Sequence, residues 1–333
     1  MEAVRPTPSE FAARHWYRLS PVSLLLYPLS LVFGLVVAAR RLMYRVGVLS
    51  SARAGVPVIV VGNLTVGGTG KTPLILALVK SLRARGLNPG VISRGYRAAN
   101  THPRAVAGGD EAGQVGDEPL LIAERCGCPV WIGADRVAAA RALRAARPEC
   151  DVILCDDGLQ HYRLQRDFEI AVQDERGLGN GFLLPAGPLR EAGGRRVDAT
   201  VQNGGPPRAG ALAMRLAPAG FYRVGDESAR LAVSDLSGKR LHAAAGIGNP
   251  DRFFAQLSQM GLAITAHPFP DHHAFRESDL VFPDCDLILM TEKDAVKCRR
   301  FGRRDLIALR IEAEVDPALT ELILKRIHGL STA

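Results

Sequence analysis

A glycine-rich turn between a buried strand and a helix constrains this chain more than any other feature of its sequence. Residues 56–62 have the β-branched, apolar composition of a buried strand, and apolar residues recur at helical spacing after Thr72. The turn between them ends in Gly70-Lys71-Thr72. In such a context backbone N–H groups surround a polyphosphate, the lysine reaches its outer phosphates and the threonine hydroxyl ligates Mg²⁺. The sequence therefore predicts a nucleoside triphosphate site that takes ATP and Mg²⁺.

The usual form of this loop has a glycine at the position where this chain has Thr65. The strand before the loop and the helix after it nevertheless supply the context that the chemistry requires, so the prediction stands. The residues predicted to bind the nucleotide are Thr65, Val66, Gly67, Gly68, Thr69, Gly70, Lys71 and Thr72.

Two adjacent aspartates, Asp156 and Asp157, end a short apolar run further along the chain. Acids at a strand end downstream of a phosphate-binding loop are typical of a second residue that organises Mg²⁺. The sequence predicts that Asp156 or Asp157 completes a metal site with Thr72, and it does not choose between the two. His161, a few residues later, is either a proton carrier or an ordinary loop residue.

The first fifty residues differ in kind from the rest. No charged side chain occurs from Leu19 to Ala39, and arginines flank this stretch on both sides. Its length suffices to cross a bilayer, but Pro21 and Pro28 shorten the uninterrupted helix and the flanking charges give no orientation. A helix that spans the membrane and a helix that lies in one leaflet both fit this pattern.

Two other interpretations compete for the same segment. Residues 37–39, Val-Ala-Ala, resemble a signal-peptide cleavage site, and an apolar helix is also found buried in soluble proteins. An export signal would carry the nucleotide site away from cytosolic ATP and Mg²⁺. We therefore expect a cytosolic catalytic body that is held at a membrane surface.

Composition narrows the choice of partners. The 333 residues are 47% hydrophobic and carry a formal net charge of +8, which suggests an anionic partner. The basic residues are scattered without a run of five, so nucleic acid ranks last among the anionic partners. The six cysteines include no CxxC pair and no zinc-like spacing, as expected for a reduced cytosolic protein.

Glycine, proline and the alternation of strands and helices suggest four segments. These are a membrane-associated helical segment at 1–50, a nucleotide-binding domain at 51–202, a linker at 203–224 and an α/β lobe at 225–333. Within the second segment, Asp117 precedes Pro119 at the start of an apolar helix. From its position alone, Asp117 is either a helix cap or a functional carboxylate.

Taken together, these features resemble the tetraacyldisaccharide 4'-kinases of lipid A assembly in Gram-negative bacteria. The resemblance extends over nearly the whole chain, with one departure at Ala192, where we expect proline. The motifs that carry it, in order, are Gly62-Asn63, Gly67-Gly68-Thr69-Gly70-Lys71-Thr72-Pro73, Ser93-Arg94-Gly95-Tyr96, Gly116-Asp117-Glu118-Pro119, Asp156-Asp157-Gly158-Leu159-Gln160-His161, Leu184-Pro185-Ala186-Gly187-Pro188-Leu189-Arg190-Glu191, Asp271-His272-His273 and Thr291-Glu292-Lys293-Asp294.

The resemblance implies an α/β fold, with a P-loop kinase-like three-layer αβα core, a second and smaller α/β lobe, and an N-terminal apolar membrane helix. It also implies transfer of the ATP γ-phosphate to the 4'-hydroxyl of a tetraacyldisaccharide 1-phosphate glycolipid, which gives lipid IVA at the cytoplasmic face of the bacterial inner membrane. A lipid substrate fits the apolar N-terminus, and a phosphorylated substrate fits the positive charge.

For the site, the resemblance implies that Asp117 and a histidine of the Asp271-His272-His273 motif take the proton from the sugar hydroxyl. We favour His272, and adjacency keeps His273 open. Lys71 and the loop amides then hold the β- and γ-phosphates. The candidates for contact with the phosphosugar, which are otherwise solvated surface residues, are Arg94, Arg190, Glu191, His161 and His273. The Thr291-Glu292-Lys293-Asp294 motif is a candidate contact with the nucleotide base.

Two other classes of protein use similar loops. A membrane-associated switch ATPase of the partition type shares the Gly-Gly-x-Gly-Lys-Thr sequence, but its signature lysine corresponds to Val66 here. A GTPase is a weaker alternative, because the Thr291-Glu292-Lys293-Asp294 motif only loosely matches a guanine-reading motif.

Overall fold

A computed structural model of the chain describes residues 14–95 and 102–331. The strands in these residues are β1 (Val58–Gly62), β2 (Pro89–Ser93), β3 (Arg104–Ala105), β4 (Val130–Ile132), β5 (Val152–Asp156), β6 (Phe168–Asp174), β7 (Ala199–Asn203), β8 (Ala211–Arg223), β9 (Asp226–Leu231), β10 (Leu241–Ala245), β11 (Ile264–Pro268), β12 (Leu287–Thr291) and β13 (Leu306–Val315). The α-helices are α1 (Pro21–Arg45), α2 (Lys71–Ala84), α3 (Ala112–Val115), α4 (Asp117–Cys126), α5 (Arg136–Ala146), α6 (Val233–Leu236), α7 (Pro250–Gln259), α8 (Glu292–Cys298) and α9 (Ala318–Ser331). Short 3₁₀ helices occupy Glu277–Leu280 and Arg299–Phe301.

The described residues form two compact units, and the chain passes between them several times. The first unit comprises residues 14–71, 154–214 and 315–331, and the second comprises 72–95, 102–153 and 215–314. Each unit is therefore built from segments that are distant in sequence.

The first unit is organised around parallel strands that are buried on both faces. Strand β1 pairs with β6, β6 with β7, and β7 with the first residues of β8, all in parallel. Every residue of β1 is buried, and β6 is buried at five of its seven positions. Parallel strands covered on both faces consist of nearly continuous apolar residues, so their polar residues are concentrated in the loops at the strand ends.

The second unit repeats this architecture. Strands β11, β10, β12 and β13 lie side by side in parallel, and β2 pairs in parallel with β4. Strand β3 adds an antiparallel edge to β4. Helices α4 and α8 pack together through a buried cluster that includes Leu120, Leu121 and Val296. This packing brings the first residue of α4 next to one face of α8.

Helix α1 buries its serines and exposes most of its apolar residues. Ser20 caps it, since the Ser20 hydroxyl accepts the Ser23 N–H at 3.2 Å and the Ser23 hydroxyl accepts the Ser20 N–H at 2.8 Å. Ser30 is 2% exposed and donates to the carbonyl of Leu183 at 2.7 Å. The large apolar side chains of α1 that are more than half exposed are Leu24, Leu25, Leu29, Leu31, Val32, Leu35, Val36 and Leu42.

Helix α1 is 25 residues long and strongly apolar, and most of its apolar stretch is not buried. By length and composition it could cross a membrane. The structure does not support the alternative of a buried core helix, because the apolar face of α1 is uncovered.

The segment predicted as a linker contains regular secondary structure. Most of the predicted linker, 203–224, is the long strand β8, and Asn203 is the last residue of β7. The glycines and prolines that suggested a linker occupy only the connection between these strands. Tyr96 of the Ser93-Arg94-Gly95-Tyr96 motif lies outside the described residues.

Gly62 gives a test of how tightly β1 is packed. A Cβ at Gly62 would lie 2.7 Å from Cγ of Leu159, which is fully buried and has no room to move. Gly62→Ala should therefore lower the free energy of unfolding by about 1–3 kcal/mol. Thermal or urea denaturation measures this loss, with Gly108→Ala as a matched control, since nothing lies within 4 Å of a Cβ at Gly108. Equal stability of the two variants would contradict the packing described here.

Candidate functional site

The glycine-rich loop after β1 is shaped by its own side chains. Asn63 Nδ2 donates to the carbonyl of Gly67 at 2.9 Å, and Asn63 Oδ1 accepts from Lys71 Nζ at 3.3 Å. Gly67 has φ 111° and Gly70 has φ 98°, a region of backbone conformation that glycine adopts without strain. A Cβ at Gly70 would lie 2.7 Å from Nδ2 of Asn203, so a larger residue does not fit there. The loop therefore depends on glycine at these positions for its backbone conformation.

Asp157 lies beside the lysine of this loop. Arg190 Nη1 lies 3.0 Å and 2.9 Å from its two carboxylate oxygens, and Lys71 Nζ lies 3.6 Å from Oδ1. Asp157 has φ 46°, an uncommon conformation for a residue other than glycine. Asp156, the last residue of β5, is 1% exposed. The structure therefore brings together Lys71, Asp157 and Arg190, and it buries Asp156.

Three other sequence candidates occupy different surroundings. Glu191 is 2% exposed, pairs with Arg195 at 3.0 Å and accepts the Tyr162 hydroxyl at 2.5 Å, so both of its oxygens are used inside the protein. Burial and the neighbouring Glu191 carboxylate raise the pKa of Tyr162. His161 is half-buried in the turn after β5, and Arg94 is exposed after β2. Of these, Glu191 has the surroundings of a structural residue.

In the second unit, Asp117 and His272 form a hydrogen bond. His272 Nδ1 lies 3.0 Å from Oδ2 of Asp117, and a carboxylate only accepts, so Nδ1 carries the proton. The N-cap of α4 is Gly116, and no side chain caps this helix. Of the two roles that the sequence left open for Asp117, the helix cap does not agree with the structure, because the Asp117 side chain bonds to His272 instead.

The backbone around His272 is held in an uncommon conformation. Its φ is 60°, and its N–H donates to the carbonyl of Gly246 at 3.1 Å. Non-glycine residues in this region are concentrated at functional sites. The neighbouring His273 has a separate partner, Asp279, whose Oδ2 lies 2.9 Å from Nε2. The geometry thus associates His272, rather than His273, with Asp117.

The charges around Asp117 favour its ionised form. Burial raises the pKa of Asp117, but the hydrogen bond with His272 and the positive charges of Lys297 and Lys293 outweigh burial, so that its pKa lies below the usual value. Both lysines belong to α8, four residues apart and hence on one helix face. The sequence interpretation missed Lys297, although its spacing from Lys293 is the signal that points to it.

The chain is similar to a known protein family along most of its length. The family model described as tetraacyldisaccharide-1-P 4'-kinase matches residues 22–328. This chain belongs to that family. A tetraacyldisaccharide 4'-kinase from Methylobacillus flagellatus is 50% identical over 325 residues, which cover 97% of each chain. Another, from an Azoarcus species, is 52% identical over 327 residues, or 96% of each chain.

A solved structure supports the same family assignment. It is the crystal structure of Aquifex aeolicus LpxK in complex with ATP, which matches with a TM-score of 0.78 and 27% sequence identity. The match covers 92% of this chain and 99% of the Aquifex chain. The predicted fold class and the predicted resemblance to the tetraacyldisaccharide 4'-kinase family are thereby confirmed.

Proposed function

We propose that this chain transfers the γ-phosphate of ATP to the 4'-hydroxyl of a tetraacyldisaccharide 1-phosphate and so forms lipid IVA. The observation that carries the proposal is the family match over residues 22–328, a range that includes both the glycine-rich loop and the Asp117–His272 hydrogen bond. The Aquifex relative was crystallised with ATP, which supports ATP as the phosphate donor.

The loop from Thr65 to Thr72 is the proposed site of the ATP phosphates. Its backbone N–H groups and the ammonium of Lys71 supply positive potential for the β- and γ-phosphates. Lys71 is held by Asn63 on one side and by the Asp157 carboxylate on the other, so its position is fixed before a nucleotide binds. A preformed cradle of this kind loses less conformational entropy on binding.

The residues present also fit a magnesium ion. Thr72 follows Lys71 at the start of α2, where its hydroxyl is the usual loop ligand, and Asp157 supplies hard carboxylate oxygens beside Lys71. Asp157 fits the metal better than Asp156, because Asp156 is buried at the end of β5. An ion held by these residues would supply positive charge for the transferred phosphoryl group. Arg190 would keep the Asp157 carboxylate oriented toward the ion.

Asp117 is the proposed acceptor of the proton from the sugar hydroxyl, and His272 is its hydrogen-bonded partner. Oδ2 of Asp117 holds the imidazole through Nδ1, while Oδ1 makes no hydrogen bond within the part of the chain that the structure describes. The carboxylate is ionised at neutral pH, as a base must be. The sugar hydroxyl can therefore give its proton to Oδ1 of Asp117, with His272 fixing the orientation of the carboxylate.

The glycolipid substrate accounts for the remaining features. The uncovered apolar face of α1 suits insertion into the membrane that contains the lipid, and the net charge of +8 suits the substrate phosphate and an anionic membrane surface. The Ser30 hydroxyl donates to the Leu183 carbonyl and accepts the Ala186 N–H, and the ring centroids of Tyr27 and Phe182 lie 4.8 Å apart. These contacts tie α1 to the loop at 182–186. Such contacts support a membrane-attached helix over a cleaved signal. We place the protein at the cytoplasmic face of the inner membrane, where ATP is available.

The proposed reaction predicts that phosphate from labelled ATP appears in the lipid. With tetraacyldisaccharide 1-phosphate in detergent micelles, Lys71→Ala and Asp117→Ala should each lower turnover by about 10²-fold or more, because one loses a phosphate contact and the other the base. Lys80→Ala, at an exposed position of α2, is the matched control and should retain wild-type activity. ATP hydrolysis by the wild type without labelled lipid would contradict the kinase and favour a switch ATPase.

The metal assignment predicts a change in Mg²⁺ requirement. Asp157→Asn should raise the Mg²⁺ concentration needed for half-maximal activity by roughly tenfold or more, because one carboxylate ligand is lost. A titration of activity with Mg²⁺ at saturating ATP measures this change, and Asp156→Asn is the comparison. A shift in Asp156→Asn without a shift in Asp157→Asn would assign the metal to the other aspartate.

The exposed face of α1 predicts how the protein attaches to membranes. In the double variant Leu25→Asp/Leu35→Asp, the protein should no longer float with phospholipid vesicles at high salt, while its thermal stability stays near that of the wild type because both leucines are more than two-thirds exposed. Leu322→Asp, at a partly exposed position of α9, serves as the control for an added charge elsewhere. Undiminished flotation of the double variant would refute the assignment of α1 as the membrane anchor.

A further inference from the structure

A buried lysine stands behind the Asp117–His272 hydrogen bond. The side chain of Lys297 is 6% exposed. Removing an ammonium group from water is unfavourable unless carboxylates compensate the charge. Lys297 Nζ lies 2.7 Å from Oδ1 of Asp294 and 3.8 Å from Oδ2 of Asp117. One positive charge is therefore shared between two acids.

Asp294 is the fixed member of this group. It is fully buried, and its Oδ2 accepts the N–H of Gly246 at 3.0 Å and the hydroxyl of Thr291 at 2.7 Å. Thr291 also caps α8 by accepting the N–H of Asp294. The ring of Phe275 lies 5.0 Å from the Lys297 ammonium and offers it a favourable aromatic face. These contacts hold Lys297 in place independently of Asp117.

Lys297 acts on the same carboxylate oxygen that holds the imidazole. Oδ2 of Asp117 is 3.0 Å from His272 Nδ1 and 3.8 Å from the Lys297 ammonium. A positive charge at this distance favours the ionised carboxylate, which is the form that accepts the Nδ1 proton in a hydrogen bond. Loss of that charge would weaken both the ionisation of Asp117 and the orientation of His272.

Lys293, the other cation near Asp117, has its own counterions. Its ammonium lies 3.4 Å from Oε1 of Glu118 and 3.5 Å from Oδ1 of Asp271, and its side chain is 18% exposed. It also lies 3.4 Å from Nε2 of His272. Two nearby acids and contact with water reduce its effect on Asp117. Lys297 is the more deeply buried of the two cations.

We propose that Lys297 is a positioning residue, which keeps Asp117 ionised and hydrogen-bonded to His272, and that Asp294 sets how much of the Lys297 charge Asp117 experiences. The inference rests on the proposed function, because it takes Asp117 as the group that accepts the sugar proton and His272 as the residue that orients it. It assigns a role to the Thr291-Glu292-Lys293-Asp294 motif that is distinct from contact with the nucleotide base.

The proposal predicts shifts of opposite sign from two substitutions. Removal of the lysine charge raises the pKa of Asp117, because an attractive charge is lost. Asp294→Asn lowers it, because the Lys297 charge then acts on Asp117 without competition. If Lys297 only stabilised the fold, the substitutions would lower stability without shifting the pKa of Asp117 in opposite directions.

The experiment compares the wild type with Asp294→Asn, Lys297→Arg and the double variant Lys297→Met/Asp294→Asn, in which no buried charge is left unpaired. Two readouts are needed: the pH dependence of kcat/KM for lipid phosphorylation, and the ¹³C NMR titration of the Asp117 carboxyl, which Asp117→Asn identifies. In the double variant we expect two midpoints to rise by about 1 pH unit: that of the acid side of the kcat/KM profile and that of the Asp117 carboxyl titration. In Asp294→Asn both midpoints should fall. Lys297→Arg keeps the positive charge and should retain the wild-type midpoints.

The outcomes separate this proposal from the proposed function. The role of Lys297 would be overturned if the double variant folds and its Asp117 carboxyl titrates as in the wild type. Shifts of the same sign in the double variant and in Asp294→Asn would overturn it as well. A wild type that phosphorylates no lipid would instead refute the kinase proposal. The carboxyl titration would then still decide whether Lys297 controls the ionisation of Asp117.

Discussion

Burial of parallel strands on both faces is the constraint on which the rest of this structure depends. A strand such as β1, buried at every position, has no place for a polar side chain that must meet a ligand. The polar groups of both units are therefore found where parallel strands end. Asn63 follows β1 and Asp157 follows β5 in the first unit, while Gly246 follows β10 and Thr291 ends β12 in the second. Each group of loops is fixed by the sheet beneath it.

Both units also contain buried ion pairs that anchor these loops. In the first unit Arg195 and Glu191 are each 2% exposed in their side chains, and in the second unit Lys297 pairs with the fully buried Asp294. Buried pairs contribute little net stability compared with apolar residues, but loss of one partner leaves an unpaired charge at a high cost in free energy. The position of these ion pairs beside the candidate site suits a role in fixing the geometry and charge of its side chains rather than in stabilising the fold.

Helix α1 follows a different principle from the rest of the chain. Its serines face the protein and its leucines face outward, the reverse of a helix on a soluble protein. The hydrogen bonds of Ser30 with residues 183 and 186, together with the ring contact between Tyr27 and Phe182, attach the helix to the protein. A helix with this distribution is stable where its apolar face meets lipid.

The sequence by itself determined the features that depend on local pattern. The β-branched run, the glycine-rich turn and the helical spacing after Thr72 predicted the strand, loop and helix, because φ, ψ and side-chain periodicity are local properties. The family resemblance likewise predicted the fold class, which the solved relative confirms. The absence of charge from Leu19 to Ala39 predicted an apolar helix, but not which face would be covered.

Only the tertiary structure decided which residues meet. It chose His272 over His273 as the neighbour of Asp117, placed Asp157 rather than Asp156 beside Lys71, and put Glu191 in the interior. It also turned most of the predicted linker into β8. Asp117 and His272 are 155 residues apart in sequence, and their contact depends on the packing of α4 on α8 and on the left-handed backbone at His272. Such contacts arise from long-range packing, which no local pattern of residues specifies.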